Sequence, residues 1–183
     1  MSFSLSISTI RSNTSNQESR HRTASQKNCE DNTMENMVEH INDIAGVRIV
    51  CSFTSDIYRL ADMIGKQKEF TILYIKDYMK HPKESGYRSY HMLITVPIQT
   101  TKGICPTKVE IQIRTIAMDF WASLEHKIYY KFEGNAPQYI SEELRECAAI
   151  TSKLDAKMLS LNEAIIAEKE RQQREEEQKK YLK

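Results

Sequence analysis

The segment TKVEIQIRT (107–115) alternates two kinds of side chain. In a strand, successive side chains point to opposite faces. Val109, Ile111 and Ile113 then share one face, suited to a core, and Glu110, Gln112 and Arg114 share the other. An acid, an amide and a base in a row suit either a solvated outer face or the floor of a polar site. Asp43, in NDIAGVR just ahead of the next apolar run, supplies a second carboxylate. Two carboxylates from neighbouring strands can share Mg²⁺, a cation that takes oxygen ligands and keeps several waters and substrate phosphates. Taken alone, Asp43 reads as a turn or cap residue and Arg48 as a surface arginine.

A second group lies in 76–91, where Lys76, Lys80, His81, Lys83, Arg88 and His91 are interleaved with Tyr78, Tyr87 and Tyr90. Cations hold phosphates and a ring stacks on a base, so this mixture suits a nucleotide. Charge alone also fits a solvated basic loop.

The elements that must position these groups follow from periodicity. GVRIVCSF (46–53), FTILYIKDY (70–78), YHMLITVPI (90–98) and TKVEIQIRT (107–115) read as strands, and QTTKGICP as a hairpin connection between the last two. Thr54 or Ser55 can cap a helix to about Lys68, with Ile57, Leu60, Ala61 and Ile64 inward. Residues 116–131 form a further helix with Ala117, Phe120, Trp121, Leu124 and Ile128 on its apolar face, ended by Gly134 and Pro137. Beyond it, Ile140, Leu144, Cys147, Thr151, Leu154, Met158, Leu161 and Ile165 keep a 4-3 spacing, a heptad seam that predicts a helical arm. Its charged tail carries helix-supporting pairs such as Glu170–Arg174. Met34, Met37, Val38 and Ile41 recur at helical spacing, whereas residues 11–33 hold only Ala24 and Cys29 as apolar side chains and predict disorder. The fold class expected is a mixed α+β domain with a largely antiparallel sheet. Its divisions are 1–33 as a disordered or divergent segment, 34–134 as the core and 135–183 as an oligomerisation arm.

The bulk numbers narrow the function. The chain has 183 residues, 40% of them apolar, and a net charge of +1. No global field then draws it to DNA or an acidic membrane, and anion binding must be local. Cys29, Cys51, Cys105 and Cys147 form no CxxC pair, which points to reduced thiols in a cytoplasmic protein. MSFSLSISTI lacks the basic start and continuous apolar stretch of a signal peptide.

DIAGVRI (43–49), GYRSYH (86–91), EIQIRT (110–115) and AMDFWASLEH (117–126), in this order, resemble the RelA/SpoT-type (p)ppGpp synthetases. The chain length and helical C-terminus are similar to the small alarmone synthetases, with a match over about residues 34–166. The resemblance implies a nucleotidyltransferase-like fold. It implies Mg²⁺-dependent transfer of the ATP β,γ-pyrophosphate to the ribose 3′-hydroxyl of GDP or GTP, in the stringent response, by a homotetramer. It assigns Asp43 and Glu110 to the metal, Glu110 also to activation of the 3′-hydroxyl, Arg48 to adenine and Tyr87 to guanine stacking. Lys83, His91 and Gln112 are implied near the acceptor's phosphates and ribose, with Lys76 beside them, and Asp119 at the guanine edge. The family's basic R-x-K-x-x-x-S motif ahead of DIAG is not recognisable here, and RHRTAS (20–25) echoes it only faintly. An impaired guanine-nucleotide or alarmone-binding module and a helical assembly protein are the competing functions.

Overall fold

The computed structural model describes residues 6–7, 45–101, 103–132 and 136–181. Its elements are β1 (Ser6–Ile7), β2 (Ala45–Cys51), α1 (Thr54–Gly65), β3 (Thr71–Asp77), β4 (Tyr90–Thr100), β5 (Gly103–Thr115), α2 (Ile116–Lys131) and α3 (Gln138–Tyr181). The sheet order is β1-β2-β5-β4-β3. Only the β2–β5 pair is parallel, so the mixed α+β, mostly antiparallel reading holds. β1, which pairs Ser6 with Val50 and Ile7 with Ile49, lies in the segment where disorder is the sequence expectation.

The β4–β5 hairpin is longer than its apolar pattern suggests. Pairing continues through the QTTKGICP connection to Thr100 opposite Gly103, and Gly103 turns the chain at φ 114°. A residue without Cβ adopts that backbone freely. α1 starts one position before the expected caps: Phe53 N–H donates to Asp56 Oδ2 at 3.3 Å, and neither Thr54 nor Ser55 is the cap. The helix closes at Gly65 rather than Lys68.

One sheet face carries the core. Met92, Ile94, Ile111 and Ile113 are buried there against Ile57 and Ala61 of α1, with Val47, Ile49, Leu60 and Ile64 packed around them. These are the alternating strand positions and the i, i+3, i+4 helix positions of the apolar pattern. A second cluster joins α2 to α3 through Trp121, Ala122, Leu144 and Ala148, with Tyr87, Ile128 and Ile140 packed against it. Trp121 Nε1–H donates to the Leu144 carbonyl at 3.0 Å.

This second cluster corrects two expectations. On α2 the buried residues are Met118, Trp121 and Ala122, while Phe120 and Leu124 are exposed, because α2 is held between the sheet end and α3 rather than on one flat face. The heptad seam also divides. Ile140 and Leu144 pack within the chain, whereas Leu154, Met158, Leu161 and Ile165 are exposed along the outer half of α3.

Candidate active site

The other sheet face carries the polar residues, because register brings them level. Gly46 pairs with Glu110 and Arg48 with Gln112 across β2 and β5. His91 of β4 pairs with Gln112 on one side and with Lys76 of β3 on the other. Directly paired residues point their side chains to the same face.

Glu110 has a hydrogen-bond partner on each carboxylate oxygen. Its Oε1 accepts from His91 Nδ1 at 2.8 Å and its Oε2 accepts from Gln112 Nε2 at 3.2 Å. The His91 bond is the main cause that lowers the Glu110 carboxyl below its usual range. Burial opposes it, and Gln112 and the charge of Lys76 assist. Glu110 is therefore an oriented anion. The far ring nitrogen of His91 lies 2.9 Å from the Tyr87 hydroxyl. In the neutral ring, with Nδ1 giving its hydrogen to the carboxylate, Nε2 is the acceptor and Tyr87 O–H donates.

Tyr87 sits at the mouth of a basic loop. Lys83 Nζ lies 4.9 Å from its ring centroid and 5.1 Å from that of Tyr78, and Tyr78 meets both Tyr87 and His91 edge-on. The loop is braced by α3. Arg145 Nε–H donates to the Glu84 carbonyl at 3.0 Å, and Gly86, at φ 87°, lies against the helix. A Cβ on Gly86 would come within 2.5 Å of Ala148 Cβ. The glycine is what lets α3 approach.

Asp119, in the first turn of α2, reaches back to this face. Its Oδ1 takes Arg114 NH1 at 3.2 Å and Arg48 NH1 at 3.5 Å. Seven sequence candidates thus meet in one region: Glu110, His91, Gln112, Tyr87, Lys83, Asp119 and Arg48. Lys76 stands apart with its Nζ 5.1 Å from the Tyr74 ring centroid, acting on Glu110 only through its charge. Asp43 lies outside the described residues. Two participants were missed as site residues, Arg114 and Tyr78. Arg114 was detectable, since it shares its strand face with Glu110 and Gln112. Tyr78 had only its place among the loop aromatics.

The profile of the region found in RelA / SpoT proteins matches residues 16–135. The chain belongs to this RelA/SpoT family. The match begins before Met34, and RHRTAS (20–25) lies within the matched residues. The chain is 51% identical over 139 residues to GTP pyrophosphokinase YwaC of Bacillus subtilis, covering 76% of this chain and 66% of that protein. It is 45% identical over 121 residues to GTP pyrophosphokinase YjbM of the same organism, covering 66% of this chain and 57% of that one. The chain therefore spans somewhat less than two thirds of both. The crystal structure of small alarmone synthetase 1 from Bacillus subtilis bound to its product pppGpp superposes with a TM-score of 0.76 at 37% identity, over 86% of this chain and 78% of that one. Small alarmone synthetase 2 from that organism superposes with a TM-score of 0.72 at 42% identity, over 90% of this chain and 82% of that one. At these identities the likeness extends beyond the fold to the small alarmone synthetases as a group. Among the described residues no helix is long and apolar enough to cross a membrane.

Proposed function

We propose that this RelA/SpoT-family chain is a GTP/GDP pyrophosphokinase that makes (p)ppGpp. The observation that carries the reading is Glu110, an anion whose two oxygens are aimed by His91 and Gln112 on a face that also holds Tyr87 and Lys83. The ribose 3′-oxygen of GDP or GTP attacks the β-phosphorus of ATP. A 3′-O–Pβ bond forms, the Pβ–O bond to the α-phosphate breaks, AMP leaves, and Glu110 takes the 3′-hydroxyl proton. Phosphoryl-type transfer asks mainly for positioning and charge neutralisation. Tyr87 stacks the guanine, Lys83, His91 and Gln112 lie along the acceptor's ribose and phosphates with Lys76 adding its charge from farther off, and Asp119 accepts from the guanine edge. Arg48 contacts the ATP adenine.

Pyrophosphokinases of this family use a divalent metal, and the face fits one. Gly46, the register partner of Glu110, has open space where a Cβ would stand. Among the described residues no cluster of three or more His, Cys, Asp or Glu gathers to cage an ion. Mg²⁺ is held by one or two carboxylates plus substrate phosphates. Glu110, with Asp43, is the proposed holder, and the ion would neutralise phosphate charge.

The test is incubation with labelled ATP, GDP and Mg²⁺, followed by thin-layer chromatography. Labelled guanosine 3′,5′-polyphosphate is expected, absent with chelator. Glu110→Gln is expected to fall by about 10²–10⁴ in rate, the usual worth of a general base. A Glu110→Gln protein as fast as its parent would remove Glu110 from the chemistry. Saturable GDP binding without product would leave a nucleotide-binding module.

A further inference from the structure

Arg114 is only 6% exposed. A buried guanidinium is costly unless it is paired and hydrogen-bonded. Its NH2 donates to the Tyr87 hydroxyl at 2.6 Å and to Gln112 Oε1 at 3.0 Å, and its NH1 donates to Asp119 Oδ1 at 3.2 Å. Its Nε is buried with no hydrogen-bond partner among the described residues, and its guanidinium carbon lies 5.1 Å from the Tyr87 ring centroid. Three of the five guanidinium N–H donors are thus spent on protein groups.

Each partner is thereby held at a particular atom. The Tyr87 hydroxyl is pinned between Arg114 and His91 Nε2, so the ring cannot swing without breaking two bonds. Asp119 has Oδ1 taken by arginines, while Oδ2 has no partner among the described residues. A carboxylate oxygen left open beside a held ring can accept one N–H of a guanine edge, while the ring stacks on the base.

We propose that Arg114 is a positioning residue that holds Tyr87 and Asp119 as one guanine-binding unit. This rests on the pyrophosphokinase reading and deepens it. Lysine cannot replace it, because a point donor does not span two acceptors as a planar fork does.

The test compares the full-length chain with Arg114→Lys, Tyr87→Phe and the double variant, after circular dichroism and thermal melting have confirmed folding. Arg114→Lys is expected to raise the KM for GDP about 10–100-fold, the range for losing a hydrogen bond to a charged group. The KM for ATP should stay within about twofold, and kcat at saturating GDP should fall less than the GDP KM rises. A merely structural role would instead lower the melting midpoint or disturb both substrates alike. Tyr87→Phe keeps the ring, so a comparable effect there means that Arg114 acts through the hydroxyl, and the double variant should then be no worse than the worse single one. An unchanged GDP KM, equal changes for ATP and GDP, or additive losses would each overturn the proposal. If Arg114→Lys does not fold, a parental GDP KM in Tyr87→Phe overturns it alone. If the parent makes no product, the activity reading fails separately. Calorimetric GDP binding then decides Arg114: weaker binding in the variants supports it, and equal binding, or none in the parent, sinks it.

Discussion

His91 Nδ1 lies 2.8 Å from Glu110 Oε1, and the far ring nitrogen of the same histidine lies 2.9 Å from the Tyr87 hydroxyl. One imidazole therefore ties the proposed base to the proposed stacking ring. Arg114 donates at one end of this chain and the Glu110 carboxylate accepts at the other. Both ends impose the same donor direction on the two groups between them.

The bond has a signature in acid. Glu110 is lowered from its ordinary 4.5, first by His91. A lowered carboxyl contributes stability that is fully present above the unfolded value and is lost as pH falls through the folded one. Asp155 has the opposite sign. Burial raises it above its ordinary 3.8, although Thr115 donates to it at 2.7 Å and Arg88 is near. It therefore costs stability once ionised, and acid relieves that cost. Urea midpoints measured from about pH 3 to 7 should show a shallower acid loss in Glu110→Gln and a steeper one in Asp155→Asn. Parental slopes in both variants would remove these groups from the acid transition.

Gly86 and Ala148 form the contact on which the nucleotide loop rests. Gly86→Ala combines an unfavourable φ of 87° with a 2.5 Å approach to Ala148 Cβ. The expected destabilisation is about 2–5 kcal/mol from conformation and overpacking together, with weaker GDP binding as Tyr87 shifts. Adding Ala148→Gly should relieve the packing part but not the φ part. A double-mutant cycle in urea would show coupling, and strict additivity would mean that the contact does not limit the site.

The exposed stripe on α3 predicts self-association. Leu154, Met158, Leu161 and Ile165 follow the seam spacing and are about half exposed in the single chain. Leu154→Glu with Leu161→Glu should give monomers by light scattering, with little change in melting of the monomer. A retained oligomer would move the joint elsewhere. Deletion after Gly134 is a poor test, because it also removes Leu144 and Ala148 from the Trp121 cluster.

Much of this protein is a consequence of sequence period alone. Alternation over 107–115 separates the core face from the polar face, since a strand has no other way to place side chains. The 3.6-residue spacing of Ile57, Leu60, Ala61 and Ile64 likewise fixes the inner side of α1. Motif order puts forward Glu110, His91, Gln112, Tyr87, Lys83, Asp119 and Arg48 as candidates, and the fold gathers them in one region. What tertiary structure decided was who touches whom. No local pattern states that β2 runs parallel to β5, which brings Gly46 beside Glu110. None states that α3 returns over the loop, turning the first two seam residues, Ile140 and Leu144, into core and leaving Leu154, Met158, Leu161 and Ile165 exposed. Arg114 shows the same limit. Its strand face follows from parity, but its burial and its grip on Tyr87 and Asp119 exist only because residues 27 positions before it and 5 after it fold onto one spot.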